Sequence, residues 1–160
     1  PIRHKFSMRA SVTGEIVLNE CRVPQENLLP GTDIGLVSAL KCLNQARNGI
    51  SWGVLGAAIS CYQEAVQHAK TRIMFNKPIG SFQLVQEKLA DMLTGITTGQ
   101  LLCLQLSRLM AEGRVHHSQV SMAKRNNVRM ALEVSRKARD ILGASGISVE
   151  YSAKRFSSRV

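Results

Sequence analysis

The chain has 160 residues, of which 44% are hydrophobic and 20% charged, and it carries a formal net charge of +10. This hydrophobic content excludes a disordered tail, and the length suffices for a domain with its own core. No apolar run is long enough to cross a bilayer, so we expect no membrane span.

Basic residues are spread over all segments of the chain rather than gathered in one patch. Short clusters include Lys124-Arg125 and the stretch between Arg136 and Arg139. An excess of positive charge suits anionic partners of many kinds, but two Tyr and one Trp leave little aromatic surface for stacking bases. We therefore expect no nucleic acid partner, although a basic nucleic-acid binder stays an alternative on charge alone.

Cysteine and histidine residues indicate neither a disulfide framework nor a metal site. The two histidines that adjoin, His116 and His117, would point about 100° apart on a helix, so their rings should not share a metal ion. The cysteines form no C-x-x-C pair and lie among apolar residues, which predicts buried, reduced thiols. These are Cys21, Cys42, Cys61 and Cys103.

Residues 1–31 have a short, β-like pattern, with the best candidate strand over residues 15–19. Pro24, Pro30 and Gly31 then interrupt it. Isolated hairpins are marginally stable in water, and a segment this short should therefore not form a sheet by itself. We interpret residues 1–31 as the end of a β domain whose other strands lie upstream.

Residues 32–160 have a helical pattern. Apolar spacing predicts helices over about residues 34–72, 81–111 and 118–142, followed by a turn at 143–146. Short connections predict antiparallel neighbours, and three amphipathic stripes without a fourth helix leave an exposed apolar groove. The predicted inner positions of the first two helices include Leu36, Leu40, Leu43, Ile50, Leu84 and Leu93.

Three glycines interrupt the first helical pattern, at Gly49, Gly53 and Gly56. Each costs helix stability relative to alanine, by about 1 kcal/mol, so a compensating reason is expected. We interpret them as points of close contact with another helix. The alternative is room for a ligand against the backbone.

The connection between the first two predicted helices contains Arg72, Phe75, Pro78 and Ile79. A guanidinium presents a planar fork suited to phosphate oxygens, an aromatic ring offers a stacking surface, and proline limits the freedom of the loop. The combination favours a dinucleotide ligand. On residue chemistry alone, the alternative is a surface arginine beside a phenylalanine that is buried for packing.

The run RxxFxxPI from Arg72, followed by glutamines and by KLADM at residues 88–92, resembles the acyl-CoA dehydrogenase family. The preceding LNQARNGISWGVLGA is most similar to the glutaryl-CoA dehydrogenase branch. The resemblance covers essentially all of the chain, from Lys5 onward. It implies a mainly α fold, with three long antiparallel helices of the family's C-terminal up-down bundle, the fourth helix missing, preceded by the remnant of the central β domain.

By this resemblance, the loop grips the FAD of a neighbouring subunit. Arg72 would bind the pyrophosphate, Phe75 and Ile79 would line the adenosine half, and Gln83 would hydrogen-bond along it. Asn76 stands where the family commonly has Gly, so the geometry of the turn is open. Met74 stands where it has Gln or Thr, which removes one side-chain hydrogen bond to the flavin dinucleotide.

Two further sets of residues are implied by the same resemblance. Asp140 and Gly143 match a second contact with FAD, although Ala144 replaces a family glycine and a plain helix C-cap is the alternative. Asn44 and Arg47 lie one helical turn apart and match the pair near the nucleotide and pantetheine portions of coenzyme A. Without the resemblance, Arg47 is a solvated helix arginine.

The resemblance implies that the complete enzyme oxidises the α,β bond of an acyl-CoA, here glutaryl-CoA, and passes electrons to electron-transferring flavoprotein. It further implies a homotetramer in the mitochondrial matrix of a eukaryote, or otherwise in the cytoplasm. Some branches place the catalytic glutamate at the position of Ala46, and others in a Tyr-Glu-Gly-Thr segment, which these 160 residues do not contain. We therefore expect no catalytic residue in this chain and no activity of the chain alone. The alternative is a catalytically inert helical oligomerisation module.

Overall fold

Three long helices make up most of the protein. The computed structural model describes residues 1–5, 8–32, 35–151, 153 and 156. Helix α1 spans Gly35–Thr71, α2 spans Gln83–Ala111 and α3 spans His117–Leu142. The three predicted helices and the mainly α fold are confirmed, with boundaries that differ by one or two residues. Ile34, the predicted start of the first helix, lies outside the described residues.

Successive helices run in opposite directions, so α1 and α3 are parallel and α2 is antiparallel to both. The Trp52 indole of α1 donates to the Ser107 hydroxyl near the end of α2, whereas Asn127 of α3 contacts Ser51. The core between the helices contains mainly small residues of α1, Met92 and Ile96 of α2, and both small and large residues of α3. Its fully buried members include Ala58, Cys61, Ala65, Met92, Ile96, Val134 and Ala138.

A buried amide joins all three helices near their middle. The Asn127 side-chain nitrogen donates to the carbonyl oxygens of Ser51 in α1, at 3.1 Å, and Gly99 in α2, at 3.3 Å. A Cβ on Gly99 would lie 2.9 Å from the Asn127 Oδ1 atom, so a larger residue would displace the amide. A satisfied polar group in a dry core fixes the register of the helices around it.

The predicted inner positions are wrong for parts of α1 and α2. Leu36, Leu40 and Leu43 of α1 are exposed, and so are Leu84 and Leu93 of α2. Because Trp52 lies level with Ser107, α2 ends beside about residue 48 of α1. The first turns of α1 therefore have no α2 beside them. The predicted exposed apolar surface is present along this stretch, and Ile50 continues it.

The α1 glycines contact no other helix in the described part of the chain, so the close contact that we expected is not made within it. A Cβ built on Gly49, Gly53 or Gly56 meets no other atom within 4 Å. Close approach occurs instead at Gly99 and at Gly80, where a Cβ would lie 3.0 Å from the carbonyl oxygen of Ala69. The three glycines thus leave a shallow open face on α1.

The segment before α1 contains no strand among residues 1–5 and 8–32, where only a short 3-10 helix, Gln25–Asn27, is formed. The strand predicted over residues 15–19 is absent, because a strand needs a hydrogen-bonded partner and this part of the chain supplies none. The assignment of residues 1–31 to the end of a β domain stays a prediction. No described helix is long and apolar enough to cross a membrane.

The cysteine prediction is right for two of the four residues. Cys61 and Cys103 are buried, whereas Cys21 and Cys42 are exposed, and all four thiols are free. Burial, with a contribution from the Glu64 carboxylate, raises the pKa of the Cys61 thiol to about 12. Burial likewise raises the pKa of Cys103. Both buried thiols are therefore protonated at neutral pH and are not nucleophiles.

Candidate functional site

The connection from α1 to α2 is a small hairpin. Strand β1, Ile73–Met74, pairs antiparallel with β2, Lys77–Pro78. The two turn residues have positive φ, 51° at Phe75 and 61° at Asn76, as a type I′ turn requires. Asparagine tolerates this conformation, so the turn forms without the glycine that the family commonly has. Phenylalanine adopts it rarely, which makes Phe75 a strained residue.

Contacts on both sides fix the hairpin to the end of the helix bundle. The Ile79 amide donates to the carbonyl oxygen of Arg72 at 2.9 Å, and Gln86 of α2 donates to the carbonyl oxygen of Gly80 at 3.0 Å. The Ile79 side chain is buried in the main core. Ile79 therefore supports the loop from below, and its predicted place beside adenosine stays a prediction.

The outer surface of this loop is cationic and aromatic. Arg72 and Gln83 are exposed, and the Phe75 side chain is 83% exposed. The described residues include no carboxylate that pairs with Lys70, Arg72 or Lys77. Burial and the nearby Arg72 guanidinium lower the pKa of His68, so His68 is neutral beside these cations at pH 7. The Arg72 guanidinium and the exposed Phe75 ring thus lie close in sequence on a hairpin that is fixed to the helix bundle.

The turn after α3 lies at the same end of the bundle. It is a 3-10 helix, Gly143–Ile147, that begins at a glycine with φ of 57°. A Cβ on Gly146 would lie 2.5 Å from the carbonyl oxygen of Arg139, so this position requires glycine. Asp140 pairs with Lys88 of α2, which neutralises a carboxylate that would repel a phosphate here. The exposed Gly143 and Ala144 form the surface of the turn.

These residues fit a dinucleotide such as FAD. Arg72 offers two N–H donors to a pyrophosphate, Phe75 offers an open ring face to adenosine, and Gln83 offers an amide at the first turn of α2. Topology brings the two predicted FAD contacts to one end, although they are about 70 residues apart in sequence.

Asn44 and Arg47 lie elsewhere, in a cleft of about 250 Å³ near the start of α1. The Arg47 guanidinium donates to Asn44 Oδ1 at 3.5 Å, and the Ser51 hydroxyl donates to the Arg47 carbonyl oxygen at 2.8 Å. No carboxylate is among the described residues that line the cleft, so it suits an anionic ligand with an apolar part. The lining comprises Val37, Leu40, Lys41, Asn44, Arg47 and His117.

Sequence reasoning missed the two other polar residues of this lining, Lys41 and His117. Lys41 could have been found, because it precedes Asn44 by three positions and Arg47 by six, on one helix face. His117 could not, because it comes from the first turn of α3. It lies beside His116, and their ring centroids are 4.0 Å apart. The predicted divergence of these rings is wrong, because His116 is the extended N-cap of α3 and not a helical residue.

The cleft and the loop are far apart in this chain. Arg47 and Arg72 are separated by 25 residues of α1, or roughly 38 Å at 1.5 Å per residue. No side chain can contribute to both regions. The chain therefore has two separate candidate regions, one toward each end of α1.

A comparison with known protein families matches the helical part of the chain. The profile described as "Acyl-CoA dehydrogenase, C-terminal domain" matches residues 33–160. The chain belongs to the acyl-CoA dehydrogenase family. A glutaryl-CoA dehydrogenase from Desulfococcus multivorans is 34% identical over 153 residues, which are 95% of this chain and 39% of that protein.

Two solved structures of glutaryl-CoA dehydrogenase from Mycobacterium smegmatis share the fold of this family member. One superimposes with a TM-score of 0.93 at 48% identity and covers 99% of this chain and 41% of that chain. The other, a complex with FADH2, has a TM-score of 0.91 at 43% identity and covers 98% and 40%. The resemblance to the C-terminal part of this family is confirmed. The chain spans about two fifths of these relatives.

Proposed function

We propose that this chain is part of a flavin-dependent acyl-CoA dehydrogenase of the glutaryl-CoA dehydrogenase type. The enzyme oxidises the α,β bond of glutaryl-CoA and passes the electrons to electron-transferring flavoprotein. The observation that carries the proposal is that Arg72, Phe75 and Gln83 lie at the same end of the bundle as the Gly143 turn. In the complete protein we expect a homotetramer, in the mitochondrial matrix of a eukaryote or otherwise in the cytoplasm.

In this proposal the loop end of the chain binds the FAD of a neighbouring subunit. Arg72 holds the pyrophosphate by charge-assisted hydrogen bonds, and Phe75 packs against adenosine. The exposed backbone of Gly143 approaches the phosphates, and Asp140, paired with Lys88, fixes the end of α3. Bound FAD supplies the hydride acceptor of the reaction, whereas the residues of this chain retain and orient it.

The cleft at the other end of α1 binds part of the acyl-CoA. Val37 and Leu40 give an apolar wall for the pantetheine chain, and Asn44 offers an amide to its polar groups. Lys41, Arg47 and His117 line the same cleft, where cationic or hydrogen-bonding groups suit the phosphates of the nucleotide. The described lining has no carboxylate that could remove the α-proton, and Ala46 occupies the position at which some branches carry that base.

We therefore expect the 160-residue chain to show no dehydrogenase turnover by itself. The test supplies FAD, glutaryl-CoA and an electron acceptor to the purified chain and follows reduction of the acceptor. Reduction that depends on glutaryl-CoA would contradict this part of the proposal, because it would require a base within the 160 residues.

Binding to the cleft is tested with coenzyme A and pantetheine. Arg47→Ala should weaken coenzyme A binding about tenfold, because a hydrogen bond to a charged group contributes about 1.5 kcal/mol or more. Pantetheine, which has no pyrophosphate, should bind both forms similarly. Arg72→Ala is the matched control at the other end of α1 and should leave coenzyme A binding unchanged. Equal losses in the two variants would contradict a local site.

A second candidate function is a catalytically inert helical oligomerisation module. It is favoured by the exposed apolar stretch of Leu36, Leu40, Leu43 and Ile50, which no other described element covers. Sedimentation at micromolar concentrations tests self-association through this surface. Association that Leu40→Glu abolishes would support the module, and a monomer at these concentrations would count against it.

A further inference from the structure

Phe75 combines two unfavourable properties. Its backbone lies in the left-handed region, with φ of 51°, and its side chain is 83% exposed. A bulky residue persists in such a conformation only where its surroundings hold it there. Burial cannot provide the restraint, so it must come from the turn itself or from specific contacts of the ring.

One aromatic contact of this ring is with Phe82. The two ring centroids are 6.2 Å apart and the planes meet at 83°, an edge-to-face geometry that aromatic pairs prefer. Phe82 is the N-cap residue of α2, and its half-buried side chain packs against the main core. Its position is therefore fixed by the bundle, whereas Phe75 belongs to the hairpin.

Lys77 completes the arrangement from the second strand of the hairpin. Its ammonium nitrogen lies 4.4 Å from the centroid of the Phe82 ring, within the range of a cation–π interaction. Phe75 and Lys77 stand on either side of Asn76, and both contact the same ring. Two contacts from one turn to one fixed ring restrict the rotation of the turn relative to α2.

We propose that Lys77 and Phe82 are positioning residues that hold Phe75 in its exposed, left-handed conformation before a nucleotide binds. This inference rests on the proposed role of Phe75 at the adenosine half of FAD. A preformed loop binds more tightly because it loses less conformational freedom on binding. Lys77 then acts through the Phe82 ring and does not touch the phosphates.

The stack itself is tested without any ligand, by NMR of the wild-type chain. A ring face shifts the ε-methylene protons of Lys77 upfield of those of Lys70, an exposed lysine at the same end of the bundle. Phe82→Leu should return the Lys77 signal to the position of Lys70. Identical shifts of the two lysines in the wild type would overturn the proposal.

Ligand binding then separates positioning from a direct phosphate contact. Adenosine, which has no phosphate, should bind Lys77→Met and Phe82→Leu about two- to fivefold more weakly than wild type, as expected for an exposed cation–π contact. Lys77→Arg should restore the affinity, because a guanidinium also stacks on an aromatic ring.

If Lys77 instead touches the phosphates, Lys77→Met should weaken binding of inorganic pyrophosphate and leave adenosine unchanged, which would overturn the proposal. If wild type binds neither adenosine nor FAD, the loop is not a nucleotide site by itself, and the role given to Phe75 fails. The NMR shift of Lys77 still shows in that case whether Phe82 restrains the hairpin.

Discussion

The two ends of α1 are built in different ways. At the loop end, Ile79 is buried, Gly80 packs against the backbone of Ala69, and Gly146 packs against that of Arg139. At the cleft end, Leu36 and Leu40 remain 72% and 42% exposed, respectively. The same helix thus passes from a fully packed environment to one that its own chain leaves open.

This difference separates the end of α1 that the chain packs by itself from the end that it leaves open to a ligand or to another protein segment. The loop end presents strained and charged residues on a rigid base, which is the construction expected of a preformed binding site. The cleft end combines exposed leucines with cationic groups, so it needs a ligand or a further segment of protein to cover it. We therefore expect mutations at the two ends to affect different properties.

The largest expected effect on stability concerns the turn after α3. Gly146→Ala places a Cβ 2.5 Å from the carbonyl oxygen of Arg139, and neither backbone can move without disturbing the turn. Overpacking of this kind costs about 1 to 3 kcal/mol. Thermal unfolding followed by circular dichroism should show a lower midpoint than wild type. An unchanged midpoint would mean that the loop end is less tightly packed than the structure shows.

A smaller effect of opposite sign is expected in the open part of α1. A Cβ on Gly53 meets no atom within 4 Å, so Gly53→Ala should stabilise the chain by about 0.5 to 1 kcal/mol through its better helix propensity. Gly99→Ala is the matched control and should destabilise, because its Cβ would meet Asn127. Loss of stability in Gly53→Ala would reveal a second chain packed on this face.

The smallest effect is a pH dependence at the loop end. Burial, and then Arg72, lower the folded-state pKa of His68 below its ordinary value. Well above its ordinary pKa of about 6.5, His68 is neutral in both states and adds no pH dependence. As the pH falls below this value, the unfolded state binds the proton first, so stability decreases until the folded state is protonated as well. His68→Gln should reduce this loss in denaturant titrations at pH 7 and pH 5, and an unchanged loss would contradict it.

Much of the fold could be predicted because its signals are local. The helix boundaries follow from apolar spacing, from Pro78 and from Gly113. Gly113 follows the C-cap of α2 and has a φ of 67°. The burial of each face could not be predicted, because periodicity marks an apolar stripe and not the element that covers it. Leu40 and Ala138 fit their patterns equally well, yet only Ala138 is buried.

Part of the candidate site could be predicted from the sequence for similar reasons. Arg72, Phe75 and Gln83 belong to one continuous motif, whereas the arrival of His117 at the cleft depends on how α3 packs along α1. The burial of Ile79 was missed because a β-branched residue after proline fits either a ligand wall or a core. The Asn127 amide was missed as well, since only the packed structure shows that it links Ser51 with Gly99.

The most direct test of the binding role of the loop end is a titration of FAD into the complete apo-protein, wild type against Arg72→Ala. A charge-assisted hydrogen bond contributes about 1.5 to 3 kcal/mol, so the substitution should weaken binding roughly ten- to a hundredfold. Helix content measured by circular dichroism should stay the same, because the Arg72 side chain is exposed. Equal affinities in the two proteins would contradict the assignment of Arg72 to the flavin pyrophosphate.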